Sequence, residues 1–191
     1  MEITVSISGT TALVLHNPRL VDPLDPITRA IAEITAKGAK KTDADHAEIG
    51  RLEWEGGLYR DPDGDLALPA FNVVSALADG ATMTKNGAAL FRGVVPHSPW
   101  VAVVIDPPKL KMTDATTWRA SVVNGGRGAG RVMRTRPRFH DWSLVLSGWL
   151  DEEELNLRAL KAAVDRAGRL YGIGDARKLG YGRFTAEVSG S

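Results

Sequence analysis

The segment from residue 172 to residue 184 constrains the fold most, because it carries two Gly-x-Gly pairs separated by five residues. Glycines at such offsets indicate backbone with positive φ, or backbone that another group approaches closely. The preceding segment predicts a helix, since apolar residues recur at three- and four-residue intervals from Leu160 to Leu170 and Asp151 can cap its start. Residues 184–188 alternate as a strand does. The sequence therefore predicts a helix, a glycine-rich connection and a closing strand.

The order of these elements excludes two phosphate-binding motifs. A P-loop or a dinucleotide fingerprint places its glycines after a strand and before a helix, and here a helix comes first. Two interpretations remain open from the residues alone. The glycines form a helix C-cap followed by a turn, or they let the basic side chains Arg177, Lys178 and Arg183 approach a ligand.

A second basic stretch lies upstream, in a chain that is otherwise nearly neutral. The net charge is +1, from 24 basic and 23 acidic residues, so any basic surface must be local. Arg134, Arg136 and Arg138 share a period of two, and in an extended segment they lie on one face. Guanidinium groups in a row bind phosphate oxygens well. The alternative is that these arginines pair with the acids of residues 152–154 or are simply solvated.

The glycine spacing resembles the glycine-rich loop of the repeat-associated RNA-binding superfamily (RAMP), which supplies backbone and crRNA-processing subunits to CRISPR effector complexes. The resemblance covers residues 131–188. It implies a ferredoxin-like or RRM-like core whose loop lies between the second helix and the last strand, and self-association along a guide RNA. The chain departs from the family because we find no catalytic acid and no large insert that could act as a thumb between nucleotides. A second resemblance is to small bacteriophage proteins, and it rests on Thr135-Arg136-Pro137-Arg138-Phe139 together with the later Gly-Ile-Gly-Asp. That resemblance does not indicate any particular activity.

The predicted fold is therefore α+β, with a ferredoxin-like or RRM-like antiparallel sheet and two main helices. We predict one domain over residues 1–191, with an inserted helical and hairpin region at about residues 38–97. Ile3, Val5 and Ile7 alternate in the first strand, and the continuous apolar run at residues 100–105 predicts a central strand covered on both faces. The charged residues between 38 and 57 are interpreted as a solvated face.

Several classes of site have no support in the sequence. The absence of cysteine excludes disulfides, thiolate metal ligands and a cysteine nucleophile. The histidines lack metal-ligand spacing, so we predict neither a metal nor a cofactor. No signal peptide or membrane-spanning segment is expected, and we predict a cytoplasmic location. Trp142 is either a surface for base stacking or a core residue.

These observations lead to the hypothesis of a non-catalytic protein that binds single-stranded nucleic acid, RNA rather than DNA, and forms a homo-oligomer or filament. One alternative is a metal-independent endoribonuclease that uses His140 or His16, and another is a phage structural or scaffold protein. The predicted nucleic-acid-binding residues are Arg127, Arg131, Arg134, Arg136, Arg138, Gly172, Gly174, Arg177, Lys178, Gly180, Gly182 and Arg183.

Overall fold

The computed structural model describes residues 1–108, 110–123 and 130–191. The strands are β1 (Glu2–Gly9), β2 (Leu13–Val14), β3 (Ala67–Pro69), β4 (Val94–Pro96), β5 (Trp100–Asp106), β6 (Thr117–Val123), β7 (Arg131–Phe139), β8 (Asp141–Leu150) and β9 (Phe184–Gly190). The helices are α1 (Pro26–Thr35), α2 (Asp43–Gly57), α3 (Ala70–Gly80), α4 (Gly87–Gly93) and α5 (Leu157–Arg166). None of the helices in the described ranges has both the length and the apolar character needed to cross a bilayer.

The chain divides into two compact units. The first, here called the sheet unit, comprises Met1–Val14, Tyr59–Leu110 and Phe139–Ser191. Its sheet has the strand order β3-β5-β8-β1-β9, with β4 also paired to β8, and its strands pair antiparallel. Val5 is opposite Leu146 and Ile7 is opposite Leu144, and all four are buried. The alternation predicted for the first strand is confirmed.

Helix α5 begins later than the sequence predicts. Asn156 caps it, because its side-chain oxygen accepts a hydrogen bond from the Ala159 backbone nitrogen at 2.9 Å. The prediction of Asp151 as the cap is wrong, since its carboxylate instead accepts from the Glu153 nitrogen in the preceding turn. Residues 167–171 then form a π turn. The wider turn takes Leu170 off the apolar face that sequence periodicity assigned to it, and its side chain is exposed.

Strand β5 is covered on one face only, so the prediction of burial on both faces is wrong. Val101 and Val103 are buried, whereas Val104 is 62% exposed. The strand lies between β3 and β8 in an antiparallel sheet. Such a sheet can leave one face in water, unlike the parallel sheets in which continuous apolar runs are fully covered.

The second unit, here called the hairpin unit, comprises Leu15–Leu58 and Lys111–Arg138. Strands β6 and β7 pair antiparallel, with Trp118 opposite Arg136 and Ala120 opposite Arg134. Helices α1 and α2 pack against each other, and the indole nitrogen of Trp54 donates to the Thr116 carbonyl at 2.8 Å. That hydrogen bond joins α2 to the segment that enters β6.

The predicted α+β class with antiparallel strands is confirmed. The prediction of one domain stays a prediction. Residues 38–58 belong to the hairpin unit and residues 59–97 to the sheet unit, so the predicted insertion contributes to both.

Candidate nucleic-acid interface

The arginine-rich segment is extended, as its period of two predicts. Along β7, Thr135, Pro137 and Phe139 are buried, whereas Arg134, Arg136 and Arg138 alternate with them and are half-buried. Successive side chains of a strand point to opposite faces. These three arginines therefore share one face of the hairpin.

Arg131 lies on the other face of the hairpin, because it is an odd number of residues away from Arg134. Its guanidinium group donates to the Ser121 hydroxyl at 2.9 Å and to the Ser121 carbonyl at 2.7 Å. The exposed Arg119, directly opposite Thr135 in the pairing, shares this second face. Arg127 lies outside the described residues.

Arg134 is held by a carboxylate that sequence reasoning missed. Its Nη1 donates to Glu53 Oε1 at 2.7 Å, and Glu53 Oε2 accepts from the Thr135 backbone nitrogen at 2.8 Å. Glu53 is only 5% exposed, so its assignment to a solvated face of α2 is wrong. The alternative in which Arg134 pairs with the acids of residues 152–154 is therefore wrong, because its carboxylate partner is Glu53. Glu154 instead forms an ion pair with Arg92.

The other two arginines of this face are held differently. The Arg136 guanidinium carbon lies 5.2 Å from the centre of the Trp118 ring, within the range of a cation–π contact. Arg138 donates to the carbonyl oxygens of Asp114 and Ala115 at 3.0–3.3 Å. Within the described part of the chain, neither Arg131 nor Arg138 forms an ion pair with a carboxylate.

A pocket of about 180 Å³ lies on the Arg134 face of the hairpin unit. Its polar lining includes His16, Thr28, Glu53, Arg134 and Arg136. Its apolar lining is contributed by Leu20, Val21, Ile31 and Val122. The pocket therefore combines an apolar wall with two guanidinium groups, and no pattern in the sequence indicated it.

In the glycine-rich loop, the backbone is approached by other backbone of the same unit. Gly182 has a φ of +69°, and a Cβ there would collide with the Ile173 carbonyl oxygen. The Gly182 nitrogen donates to the Ala12 carbonyl at 2.8 Å, and its own carbonyl accepts from the Ile173 nitrogen. Gly172 and Gly174 are also left-handed and close to other backbone. These contacts explain three of the four glycines without a ligand, whereas Gly180 has open space where a Cβ would lie.

The basic side chains of this loop differ in their ion pairing and in their exposure to solvent. Arg177 forms an ion pair with Asp79 at 2.6 Å, and Arg183 is half-buried and donates to the Arg177 carbonyl. Lys178 is exposed, next to the open turn at Gly180. The structure thus leaves Lys178 as the most accessible cation of the segment.

Two aromatic features of the sheet unit bear on nucleic-acid binding. Trp142 is buried, and its indole nitrogen donates to the Thr11 carbonyl, so it is a core residue and not a stacking surface. Trp149 is 52% exposed and lies edge-to-face against His97 at 4.4 Å. However, Glu2 lies directly opposite Trp149 in the sheet, and its carboxylate would repel a phosphate.

The remaining candidate sites have fewer groups that could bind a nucleic acid or a metal ion. A more open hollow of about 430 Å³, lined by residues such as Phe71, Phe91 and Pro99, contains no Asp, Glu, Lys or Arg side chain. His140 is exposed in the bend between β7 and β8. Among the described residues, no cluster of three or more His, Asp or Glu side chains is arranged to hold a metal ion.

Comparison with known proteins adds no further constraint. No protein-family model matches the chain, and no curated protein matches it significantly.

Proposed function

We propose that this protein binds single-stranded nucleic acid, RNA in preference to DNA, without catalysing a reaction on it. One observation carries the proposal: Arg134, Arg136 and Arg138 lie on one face of β7, and their guanidinium groups are held in place by neighbouring groups. Cations held in a row lose less side-chain entropy when a phosphate backbone binds. Arg138 is held by neutral carbonyls, so its charge is not compensated by an ion pair.

The order of elements in the sheet unit supports an RRM-like core. Apart from β2, β3, α4 and β4, the elements of the sheet unit follow along the chain as β1, α3, β5, β8, α5 and β9, and in the sheet β9, β1, β8 and β5 are neighbours in that order. This order is compatible with the β-α-β-β-α-β sequence of a ferredoxin-like motif, in which α3 and α5 would make the two crossovers, and we include that core in the proposal. The glycine-rich loop lies between α5 and β9, where the RAMP resemblance implies it.

The hairpin β6–β7 supports the same proposal. It is inserted in the chain between β5 and β8, and thus supplies an insert that the sequence analysis did not find. The resemblance implies that such an insert separates nucleotides of the bound strand, and that copies of the chain associate along it. We include both in the proposal.

Fluorescence anisotropy with labelled single strands tests the binding. We use RNA and DNA of one sequence and titrate each over a series of salt concentrations. Binding through phosphates predicts that log affinity falls linearly with log salt, by about 0.7 for each phosphate contacted on a single strand. Absence of binding at low salt, or binding that salt does not weaken, contradicts the proposal and favours the scaffold alternative.

A second candidate function, metal-independent RNA cleavage, is favoured by the position of one histidine. His16 lines the same pocket as Arg134 and Arg136, whereas His140 lies in the other unit. A histidine beside phosphate-binding arginines can act as a general base on a 2′-hydroxyl. Labelled RNA incubated in chelator is the test. Cleavage that is lost in His16→Gln, kept in His140→Gln and absent with DNA would replace the non-catalytic proposal.

A further inference from the structure

We propose that the pocket lined by Arg134 and Arg136 binds one small organic anion, which consists of a single apolar ring and one carboxylate or phosphate group. The inference concerns this pocket alone and does not depend on nucleic-acid binding elsewhere on β7. The ligand is either a free molecule or one unstacked pyrimidine nucleotide of a bound strand, because each presents one planar ring and one anionic group.

The size of the pocket limits the ligand. Its volume is about 180 Å³, and an apolar cavity of roughly 150 Å³ is enough to hold benzene. Among the apolar lining residues, Leu20 lies in the segment before α1, Ile31 lies in α1, and Val122 lies in β6. A body of about one ring can therefore pack against these apolar side chains, whereas a fused polycyclic ligand would extend into solvent.

Arg134 can still donate to an anion in the pocket although it is paired with Glu53. Arg134 uses one of the five N–H donors of a guanidinium group on Glu53, and its side chain is 41% exposed, so further donors can reach a ligand. Glu53 holds the Arg134 fork in place, and the Trp118 ring lies against Arg136. The Arg134 fork suits a carboxylate or a phosphate, which accepts two hydrogen bonds from one guanidinium group, and Arg136 adds a second positive charge to the lining.

The polar groups of the wall fit the same ligand. The Thr28 hydroxyl donates to the Arg19 carbonyl at 3.0 Å, and its oxygen can still accept a hydrogen bond from a ligand hydroxyl or amine. Glu53 is buried, which makes the pocket unfavourable for a second anionic group close to it. We therefore infer a ligand with one anionic group and not several.

Calorimetry and thermal shift with defined probes test the inference. The probes are phenyl phosphate, benzoate and the neutral benzyl alcohol. We expect the two anions to bind and to raise the melting temperature, and the alcohol to do neither. Absence of binding by both anions at millimolar concentration, or equal binding of the alcohol, would overturn the inference.

Variants locate the binding. Arg136→Gln removes a lining cation, and Arg119→Gln removes the same charge from the opposite face of the hairpin. Arg136→Gln is expected to weaken phenyl phosphate binding at least about tenfold, while Arg119→Gln leaves it unchanged. Equal effects of the two variants would place the anion elsewhere and overturn the inference.

Val21 provides a test that does not disturb the fold. It lines the pocket yet is 77% exposed, so a charged side chain is tolerated there. Val21→Asp should weaken anion binding by about two- to fivefold and Val21→Lys should strengthen it, because a charge at the rim acts on the ligand through solvent. Changes of the same sign in both variants would contradict an anionic ligand at this position.

Competition separates the two sources of the ligand and keeps this inference distinct from the proposed function. If phenyl phosphate displaces a labelled oligonucleotide, the pocket takes a nucleotide of the strand. If both bind together, or if the oligonucleotide does not bind at all, the ligand is a free molecule and the pocket assignment stands. Binding of the oligonucleotide without binding of phenyl phosphate or benzoate would overturn the pocket assignment and leave nucleic-acid binding intact.

Discussion

Glu53 connects α2 to β7 through two hydrogen bonds, and its carboxylate is buried. Glu53→Ala removes the acceptor of the buried Thr135 N–H, while the half-exposed Arg134 can turn to water. We expect a loss of about 1–3 kcal/mol in the free energy of unfolding, measured with urea. Glu48→Ala is the matched control on the same helix, because the Glu48–Arg51 pair is exposed and an exposed ion pair contributes little to stability. Equal losses in the two variants would contradict the buried role of Glu53.

Two glycines of the C-terminal loop differ in their surroundings at similar φ. Gly182 (φ +69°) faces the Ile173 carbonyl oxygen, whereas Gly180 (φ +90°) has open space where a Cβ would lie. Gly180→Ala should cost about 1–2 kcal/mol, from left-handed backbone alone. Gly182→Ala adds a steric clash, so we expect a larger loss in urea denaturation. A Gly182→Ala protein as stable as Gly180→Ala would show that backbone approach does not determine the glycine spacing.

At the scale of elements, a pair of variants tests the position at which α5 begins. Asn156→Ala removes the cap and should lower the free energy of unfolding by about 1 kcal/mol. Asp151→Ala should cost less, since that carboxylate accepts from the nitrogen of Glu153 in a turn outside the helix. The reverse order in thermal or urea denaturation would restore Asp151 as the start of the helix.

Asp45, in the first turn of α2, makes the stability of the fold depend on pH. A hydrogen bond from Lys37 and another from the Thr42 backbone nitrogen lower the pKa of Asp45 to about 2. A carboxylate whose pKa is lower in the folded chain stabilises the fold above its unfolded pKa, and this contribution disappears as the pH falls toward 2. Wild type should therefore lose more stability than Asp45→Asn between pH 4 and pH 2. Parallel stability profiles of the two proteins would contradict this role.

The sequence predicted those features that depend on local periodicity. Alternation placed Arg134, Arg136 and Arg138 on one face of an extended segment, because the period of a strand is a property of neighbouring residues. Glu53 could not be found in this way. Its burial depends on the Thr135 nitrogen, 82 residues further along the chain, and nothing in α2 itself distinguishes it from the solvated acids. The pocket was missed for the same reason, since α1, α2 and the hairpin all contribute to it.

For the whole molecule, the near-zero net charge means that nucleic-acid binding must come from a defined surface and not from overall attraction. The arginine face of β7 belongs to the hairpin unit, and the glycine-rich loop with Lys178 belongs to the sheet unit. Each can be tested in the full chain by removing its own cations. Lys178→Gln, with Lys161→Gln as an exposed control on α5, reports on the loop separately.

The salt dependence of RNA binding by Arg136→Gln/Arg138→Gln tests the central claim most directly. The control is Arg119→Gln/Arg51→Gln, which removes the same charge from the opposite face of the hairpin and from α2. If β7 contacts phosphates, the first variant loses affinity at every salt concentration, and its slope falls by about 0.7 for each arginine removed. The control keeps the wild-type slope. Identical slopes in the two double variants would contradict a phosphate-binding role for this face of β7.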